Sequence, residues 1–290
     1  MTIATATLSA RFATRPLTPN LGVEVSGFTF SVDPHADDIA EIRALADQHL
    51  VVLFRDQTLA EDAQVAVSQA LGTVIPPVEE AFTSTSNPLI LRLGNVDMEG
   101  NKLAPDDPGT MFTYAPERWH SDGSYKPIPN YLTMLHALEI PPEGGETWFS
   151  SMAAAYKALP EETRRKIDGR EMEHPYPNSG KAVKGWTGRA IEVVRHPLVR
   201  QIPGGDKALF LSPFGGRIIG MDPEESDALV KELFDFATSG AFSYHHQWRL
   251  GDTLMWNNRG LVHTARPWDR VHHRRLLQRT ELSDAGGYRQ

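Results

Sequence analysis

The chain has 290 residues, 40% apolar and 23% charged, with a formal net charge of −8 and no cysteine. That length supports a substantial core, and the lack of cysteine excludes disulfides, thiolate metal sites and a cysteine nucleophile, so a bound metal would have N and O ligands. The acidic balance argues against nucleic acid or an anionic membrane as partner, no apolar run reaches membrane-span length, and residues 1–17 lack the apolar stretch of a secretory signal, so a cytoplasmic location is expected.

In chain order, Phe12, Leu17, Leu21, Val23, Val25, Phe28 and Phe30 alternate loosely. Pro16 and Pro19 break that pattern into short edge strands. Asp37 to His49 reads as a helix with Ile39, Ile42, Leu45 and Ala46 on one face. Leu50 to Phe54 is a continuous apolar run and reads as a buried strand. Thr58-Leu59-Ala60-Glu61 has a capping-box pattern and predicts a helix from there to about Leu71, ended by Gly72. Residues 75–118 are punctuated by Pro76-Pro77, Asn87-Pro88 and Asp106-Asp107-Pro108-Gly109, with one strand expected at 89–93. A loop of that length in a compact domain usually has a function, and a lid is expected here.

After the segment 118–125, strands are expected at 131–140 and 146–150, split by the turn Pro141-Pro142-Glu143-Gly144-Gly145. Short helices at 152–159 and 160–167 follow. Residues 174–190, rich in Pro, Gly and Lys, are a second expected lid. Strand patterns recur at 191–199, 208–212 and 217–219. Asp222-Pro223-Glu224-Glu225 opens the clearest helix, with Asp222 as N-cap and Pro223 at its first position. Strands at 242–250, 253–256 and 274–282 complete the pattern. Few strands are separated by helices at βαβ spacing, so the fold expected is mainly β, an antiparallel double-sheet sandwich or barrel with helical insertions. No composition break marks a second domain, so residues 1–290 are expected to form one.

The chemistry centres on Trp119-His120-Ser121-Asp122. In a strand, residues i and i+2 point the same way, so His120 and Asp122 can grip one ion. His263 is the best candidate for a third ligand. Two histidines and one carboxylate with open positions opposite is the arrangement of non-haem Fe(II) oxygenases. Arg274-Arg275-Leu276-Leu277-Gln278-Arg279 adds a second signal, because alternation puts Arg275, Leu277 and Arg279 on one face. A buried arginine needs an anion, and its planar fork suits a carboxylate. If the other face is inward, Arg274 takes the place of Arg275. His245, His246, His272 and His273 offer no second metal site by this reading, since adjacent strand residues point opposite ways.

These stretches, with Leu21-Gly22-Val23-Glu24-Val25, Val52-Leu53-Phe54-Arg55-Asp56-Gln57, Pro142-Glu143-Gly144-Gly145-Glu146-Thr147 and Trp256-Asn257-Asn258-Arg259, resemble the Fe(II)/2-oxoglutarate dioxygenases of the taurine dioxygenase and 2,4-dichlorophenoxyacetate dioxygenase family. The resemblance implies a distorted double-stranded β-helix, a jelly-roll core, with O2 and 2-oxoglutarate as cosubstrates. It implies that His120, Asp122 and His263 hold Fe(II), that Thr147 and Arg275 hold the distal carboxylate of 2-oxoglutarate, and that Arg279 meets an acidic group of the substrate. The substrate expected is a small organic carboxylate, sulfonate or sulfate, hydroxylated and then cleaved where hydroxylation falls beside a heteroatom. Succinate and CO2 are released, and the chain is expected to be a dimer or tetramer. Tyr125, Tyr131, Phe112 and Tyr114 are candidate pocket aromatics.

The chain departs from the pattern twice. Arg275 lies one residue further from His263 than in close relatives, and Asn257 stands where Asp is usual. Two rival readings use the same residues: a Zn(II) or Mn(II) hydrolase or isomerase, and a non-catalytic jelly-roll module. Neither requires a dicarboxylate clamp.

Overall fold

The computed structural model describes residues 11–77, 82–107, 118–176, 192–212 and 214–284. The chain opens on the hairpin Ala13–Pro16 (β1) and Val23–Ser26 (β2), followed by the helix Ala36–His49 (α1) and the strand Val51–Phe54 (β3). β2 and β3 pair in parallel across α1, a βαβ crossover that the sequence pattern did not suggest. Leu50 caps α1 with φ +64°, a left-handed turn that lets β3 start at once.

The helix Glu61–Leu71 (α2) follows. Its N-cap is Ala60, with no side-chain cap, so the expected start at Thr58 is three residues early and the capping box does not form. Thr73–Ile75 (β4), Leu91–Gly94 (β5), Leu132–Glu139 (β6) and Thr147–Ser151 (β7) come next. The short helices Met152–Ala158 (α3) and Glu161–Ile167 (α4) lie where the sequence placed them. Glu171–His174 (β8), which the sequence did not suggest, pairs with Val194–Pro197 (β9), and Val199–Gln201 (β10) pairs with Lys207–Leu209 (β11). The expected strand at 217–219 shrinks to one bridge at Ile218. Asp222 caps Pro223–Ala237 (α5) by accepting from the Glu224 and Glu225 N–H groups. Ser243–His246 (β12), Thr253–Asn257 (β13), Leu261–Ala265 (β14) and Leu276–Ser283 (β15) complete the described strands.

Two sheets face each other. The large one runs β1-β2-β3-β13-β6-β15-β4, with β5 also on β15, and the small one runs β12-β7-β14. Alternation along the large sheet divides its side chains cleanly. Val51, Leu53, Leu135, Leu254, Trp256 and Leu277 point between the sheets, where Trp256 meets Phe149 and His263 of the small sheet. Val52, Phe54, Met134, Met255 and Leu282 point the other way, under Ile39, Ile42, Ala46, Val67 and Leu71 of α1 and α2. Each such large apolar side chain, fully buried, contributes about 1.5–3 kcal/mol. That fixes register, since a one-residue slip would exchange the two faces.

Buried polar groups on the outer face are bonded. Gln278 donates to Gln64 and to the Leu59 carbonyl, and the Ser68 and Thr280 hydroxyls lie 2.8 Å apart. This is the double-sheet core expected from the strand pattern and the jelly roll that the resemblance implied, with one parallel crossover added. The lid expectations fall partly outside the described residues, at 78–81, 108–117 and 177–190, as do Phe112 and Tyr114. Among the described residues no helix is long and apolar enough to cross a membrane.

Candidate metal centre

His120 forms a single antiparallel bridge with His263 of β14, with N–H···O distances of 2.9 and 2.8 Å in the two directions. The bridge sets the two imidazoles side by side, ring centroids 4.3 Å apart. The chain then leaves the sheet. Asp122 opens a turn at Gly123, whose φ is +64° and whose Cβ position is blocked by Asn130 Oδ1. His120 and Asp122 therefore meet through a turn and not along a strand, as the sequence reading supposed. Asp122 Oδ1 lies 3.5 Å from His120 Nε2 and 3.7 Å from His263 Nε2. Among the described residues this is the one group of three or more histidines and carboxylates able to hold a metal ion.

Each donor is aimed by a second contact. His120 Nδ1 lies 2.7 Å from the Arg118 carbonyl. A carbonyl only accepts, so that nitrogen carries the proton and Nε2 presents its lone pair. The Thr133 hydroxyl donates to Asp122 Oδ2 at 2.7 Å, which leaves Oδ1 facing the imidazoles. Thr133 in turn accepts from Asn258 Nδ2, and Asn258 Oδ1 accepts from the Asp122 N–H and from Trp256 Nε1. His263 is oriented by packing between Trp256 and Phe149.

Burial opposes ionisation of Asp122, but His263, His120 and Arg279 outweigh it and hold the carboxyl well below the usual range. Burial pushes the His263 imidazole down to about 3. At neutral pH the centre thus offers an ionised carboxylate and an unprotonated imidazole, the forms that bind a metal. The donor set, N, N and O with no thiolate, fits a first-row divalent ion.

Arg274 and Arg275 precede β15, which begins at Leu276, and a bulge follows between Leu276 and Leu277. The extra residue of that bulge is on β6, so the alternation along β15 carries back and Arg275 shares the inward face with Leu277, as expected. Arg274 turns outward and forms two hydrogen bonds to Glu139, at 2.5 and 2.8 Å. Arg275 turns inward, is only 6% exposed and has no carboxylate partner among the described residues. Its Nη2 donates to the Gly145 carbonyl at 3.3 Å, and its Nε has no hydrogen-bond partner among the described residues. Its guanidinium lies 5.1 Å from the Trp268 ring centre. Burial and the neighbouring Arg270 pull its pKa down to about 10, which still leaves it charged.

Gly144 and Gly145 adopt φ +75° and +71°, and a Cβ on Gly145 would stand 3.2 Å from Arg275 Nε. That accounts for the paired glycines before Thr147. Thr147 is buried at the start of β7, and its hydroxyl accepts from Trp248 Nε1 at 3.1 Å. Arg279 sits on the inward face of β15, 3.2 Å from Glu281.

The sequence did not single out Asn95, a buried hub. It accepts from the Arg275 N–H and donates to the carbonyls of Arg270 and His273. Asn257 is also explained. Its Nδ2 donates to Asp47 Oδ1 at 2.8 Å, while its Oδ1 accepts from the Arg259 N–H. Asp47 also accepts from the Tyr131 hydroxyl. With Asp47 accepting from Asn257 Nδ2, an aspartate at 257 would set two acids against each other. Tyr131 is thus a core residue and not a pocket aromatic. Tyr125 packs edge-on against Tyr176, just after the Asp122 turn. His245 stacks on Trp148, and His246 lies against Tyr244, so neither builds a second metal site among the described residues.

The family model for the taurine catabolism dioxygenase TauD, TfdA family matches residues 13–280. The chain belongs to this family. The TauD/TfdA chain is 31% identical over 284 residues to an alpha-ketoglutarate-dependent 2,4-dichlorophenoxyacetate dioxygenase of Cupriavidus pinatubonensis, covering 93% of this chain and 97% of that one. It is 30% identical to an (S)-phenoxypropionate/alpha-ketoglutarate-dioxygenase of Sphingobium herbicidovorans, covering 92% and 93%. Among solved structures it resembles AAD-2 in complex with Mn(II) and N-oxalylglycine, with a TM-score of 0.82, 29% identity, and 94% and 98% coverage. This TauD/TfdA chain is an alpha-ketoglutarate-dependent dioxygenase.

Proposed function

We propose that His120, Asp122 and His263 hold Fe(II), that 2-oxoglutarate binds there with its distal carboxylate on Arg275 and Thr147, and that the substrate is a small organic anion met by Arg279. The observation that carries this reading is a buried guanidinium, Arg275, left without a carboxylate partner among the described residues, in a chain whose His120, Asp122 and His263 converge as an N, N, O donor set. A buried unpaired charge costs several kcal/mol, and a dicarboxylate able to reach both the metal and Arg275 would offset it. A metal held by His120, Asp122 and His263 would supply O2 activation coupled to the oxidation of 2-oxoglutarate to succinate and CO2, the oxidising power needed at a substrate C–H bond.

The chain's own residues bind and orient. Thr133 and Asn258 keep Asp122 Oδ1 turned inward, and the Arg118 carbonyl keeps Nε2 of His120 free. Asn95 fixes the backbone that delivers Arg275. Arg279 lies close enough to affect the charge of both Asp122 and His263, which supports its assignment to a substrate beside the metal donors. That position suits a guanidinium that anchors substrate beside the oxidising centre. The two named relatives act on phenoxyacetate- and phenoxypropionate-type acids, which supports a carboxylate as the anion. In this reading residues 1–290 form one dioxygenase domain, which the match over 13–280 supports.

The rival hydrolase and binding-module readings leave Arg275 with nothing to hold. A panel of aryl and alkyl carboxylates, sulfonates and sulfates, assayed by O2-dependent succinate release, identifies the substrate. Arg279→Ala should then raise substrate KM at least about tenfold and leave 2-oxoglutarate KM within about twofold. Equal effects on both would show that the two arginines have been assigned the wrong partners.

A further inference from the structure

Asn258 lies in the turn between β13 and β14, and both ends of its amide are committed to the Asp122 segment. Its Oδ1 accepts from the Asp122 N–H at 3.1 Å, and its Nδ2 donates to Thr133, whose hydroxyl donates to Asp122 Oδ2. The direction of Asp122 is therefore only as fixed as the backbone of Asn258. That backbone is held from outside both main sheets. Arg200, on β10 of the separate β10–β11 hairpin, donates from Nη2 to the Asn258 carbonyl at 2.6 Å and from Nε to the Arg259 carbonyl at 2.9 Å. Two donors of one planar fork on consecutive carbonyls fix both the place and the tilt of the turn.

Arg200 is itself held in place. It is only 5% exposed, and its guanidinium lies 3.5 Å from the centre of the Phe210 ring, just after β11. Phe210 is buried and stacks on His174 of β8, with ring centres 4.5 Å apart. A guanidinium over an aromatic ring is drawn to its π face, more strongly where water is excluded. The same hairpin approaches the turn a second time: a Cβ on Gly260 would stand 3.3 Å from Ile202 Cδ1. On β9, His196 Nε2 lies 3.0 Å from the Lys126 carbonyl, just past the Asp122 turn, and must donate to it. The chain from β9 to β10 thus grips the Asp122 segment twice, through His196 after it and through Arg200 behind its supporting amide.

We propose that Arg200 is a positioning residue for the metal centre: by fixing the Asn258 and Arg259 carbonyls it sets, through the Asn258 amide, the direction in which Asp122 meets the metal. The proposal rests on the reading that His120, Asp122 and His263 hold the metal. Arg200 bonds none of the three donors. Its effect passes through Asn258, so the two residues should not act independently. Groups that orient a ligand change metal affinity by about 10–100-fold. Arg200 stands one bond further out and should reach about the lower end of that range.

The test is titration with Mn(II), without O2 or 2-oxoglutarate, read from the electron paramagnetic resonance of the free ion, with folding checked by circular dichroism. R200M should raise the Mn(II) Kd about tenfold. N258A should raise it at least as much, and the double variant R200M/N258A should match N258A within about twofold. A merely structural arginine would leave the Kd of the folded protein unchanged, or its loss would add in full to that of N258A. Either result overturns the proposal. If R200M does not fold, R200K decides. A lysine keeps the buried charge but lacks the fork that spans two carbonyls, so its Kd should rise at least about threefold. A wild-type Kd in R200K then overturns the proposal. A wild-type protein that binds no Mn(II) would overturn the metal-centre reading itself, and the proposal with it.

Discussion

Replacing Asp122 with alanine should lower iron-dependent consumption of 2-oxoglutarate by at least about 100-fold, the upper end of what loss of a mere supporting contact to a metal ligand costs. Asp122 Oδ1 is the one anionic donor of the set, 3.5 and 3.7 Å from the imidazole nitrogens. Without it two neutral imidazoles remain, with no charge to balance a divalent ion. The variant should still fold. The carboxylate is held by Thr133 and the polar Asn258 relay, and the surrounding chamber rests on the apolar packing between the sheets. Fe(II) affinity and succinate release should fall together while the far-ultraviolet circular dichroism is unchanged. Full activity in Asp122→Ala would rule out the assigned centre.

Arg275→Met should raise the KM for 2-oxoglutarate roughly 100-fold, since truncating one partner of a buried charge pair costs about 3 kcal/mol. The same change should leave the ligand-free protein as stable as wild type or more so. Arg275 is buried, has no carboxylate among the described residues and lies over Trp268 with Arg270 beside it. Replacing such a charge by an apolar side chain of similar length relieves a desolvation cost. The two signs together separate a binding arginine from a structural one, because a structural arginine would lower the melting temperature when removed. In wild type, 2-oxoglutarate at 100 times its Kd should stabilise the metal-loaded enzyme by about 2.7 kcal/mol. In Arg275→Met at the same concentration that stabilisation should nearly vanish in a thermal melt.

The apolar periodicities carried most of the fold. The run Val51–Phe54, the Asp222 cap and the apolar face of α5 all lie where the pattern put them, because burial and capping act locally and leave a repeat in the sequence. Three things escaped. The parallel pairing of β2 with β3 depends on where α1 docks, which no local pattern records. The helix α2 begins without a side-chain cap, so the threonine before it misled. The strand β8 is too short and too polar to announce itself.

At the site, the sequence brought forward the residues that carry charge or a ring nitrogen, and the structure brings His120, Asp122 and His263 together and turns Arg275 inward. It was silent on Thr133 and Asn95, and it gave Asn258 only as part of a resembling stretch, with no role. These are neutral residues whose importance lies in contacts spanning up to 180 positions.

The most direct measurement is the visible spectrum of the wild-type protein mixed anaerobically with Fe(II) and 2-oxoglutarate. The account predicts a charge-transfer band that saturates at one Fe(II) and one 2-oxoglutarate per chain and disappears when O2 is admitted, with succinate formed. A mixture that stays colourless under saturating ligand, and that leaves 2-oxoglutarate unconsumed in air, would contradict it.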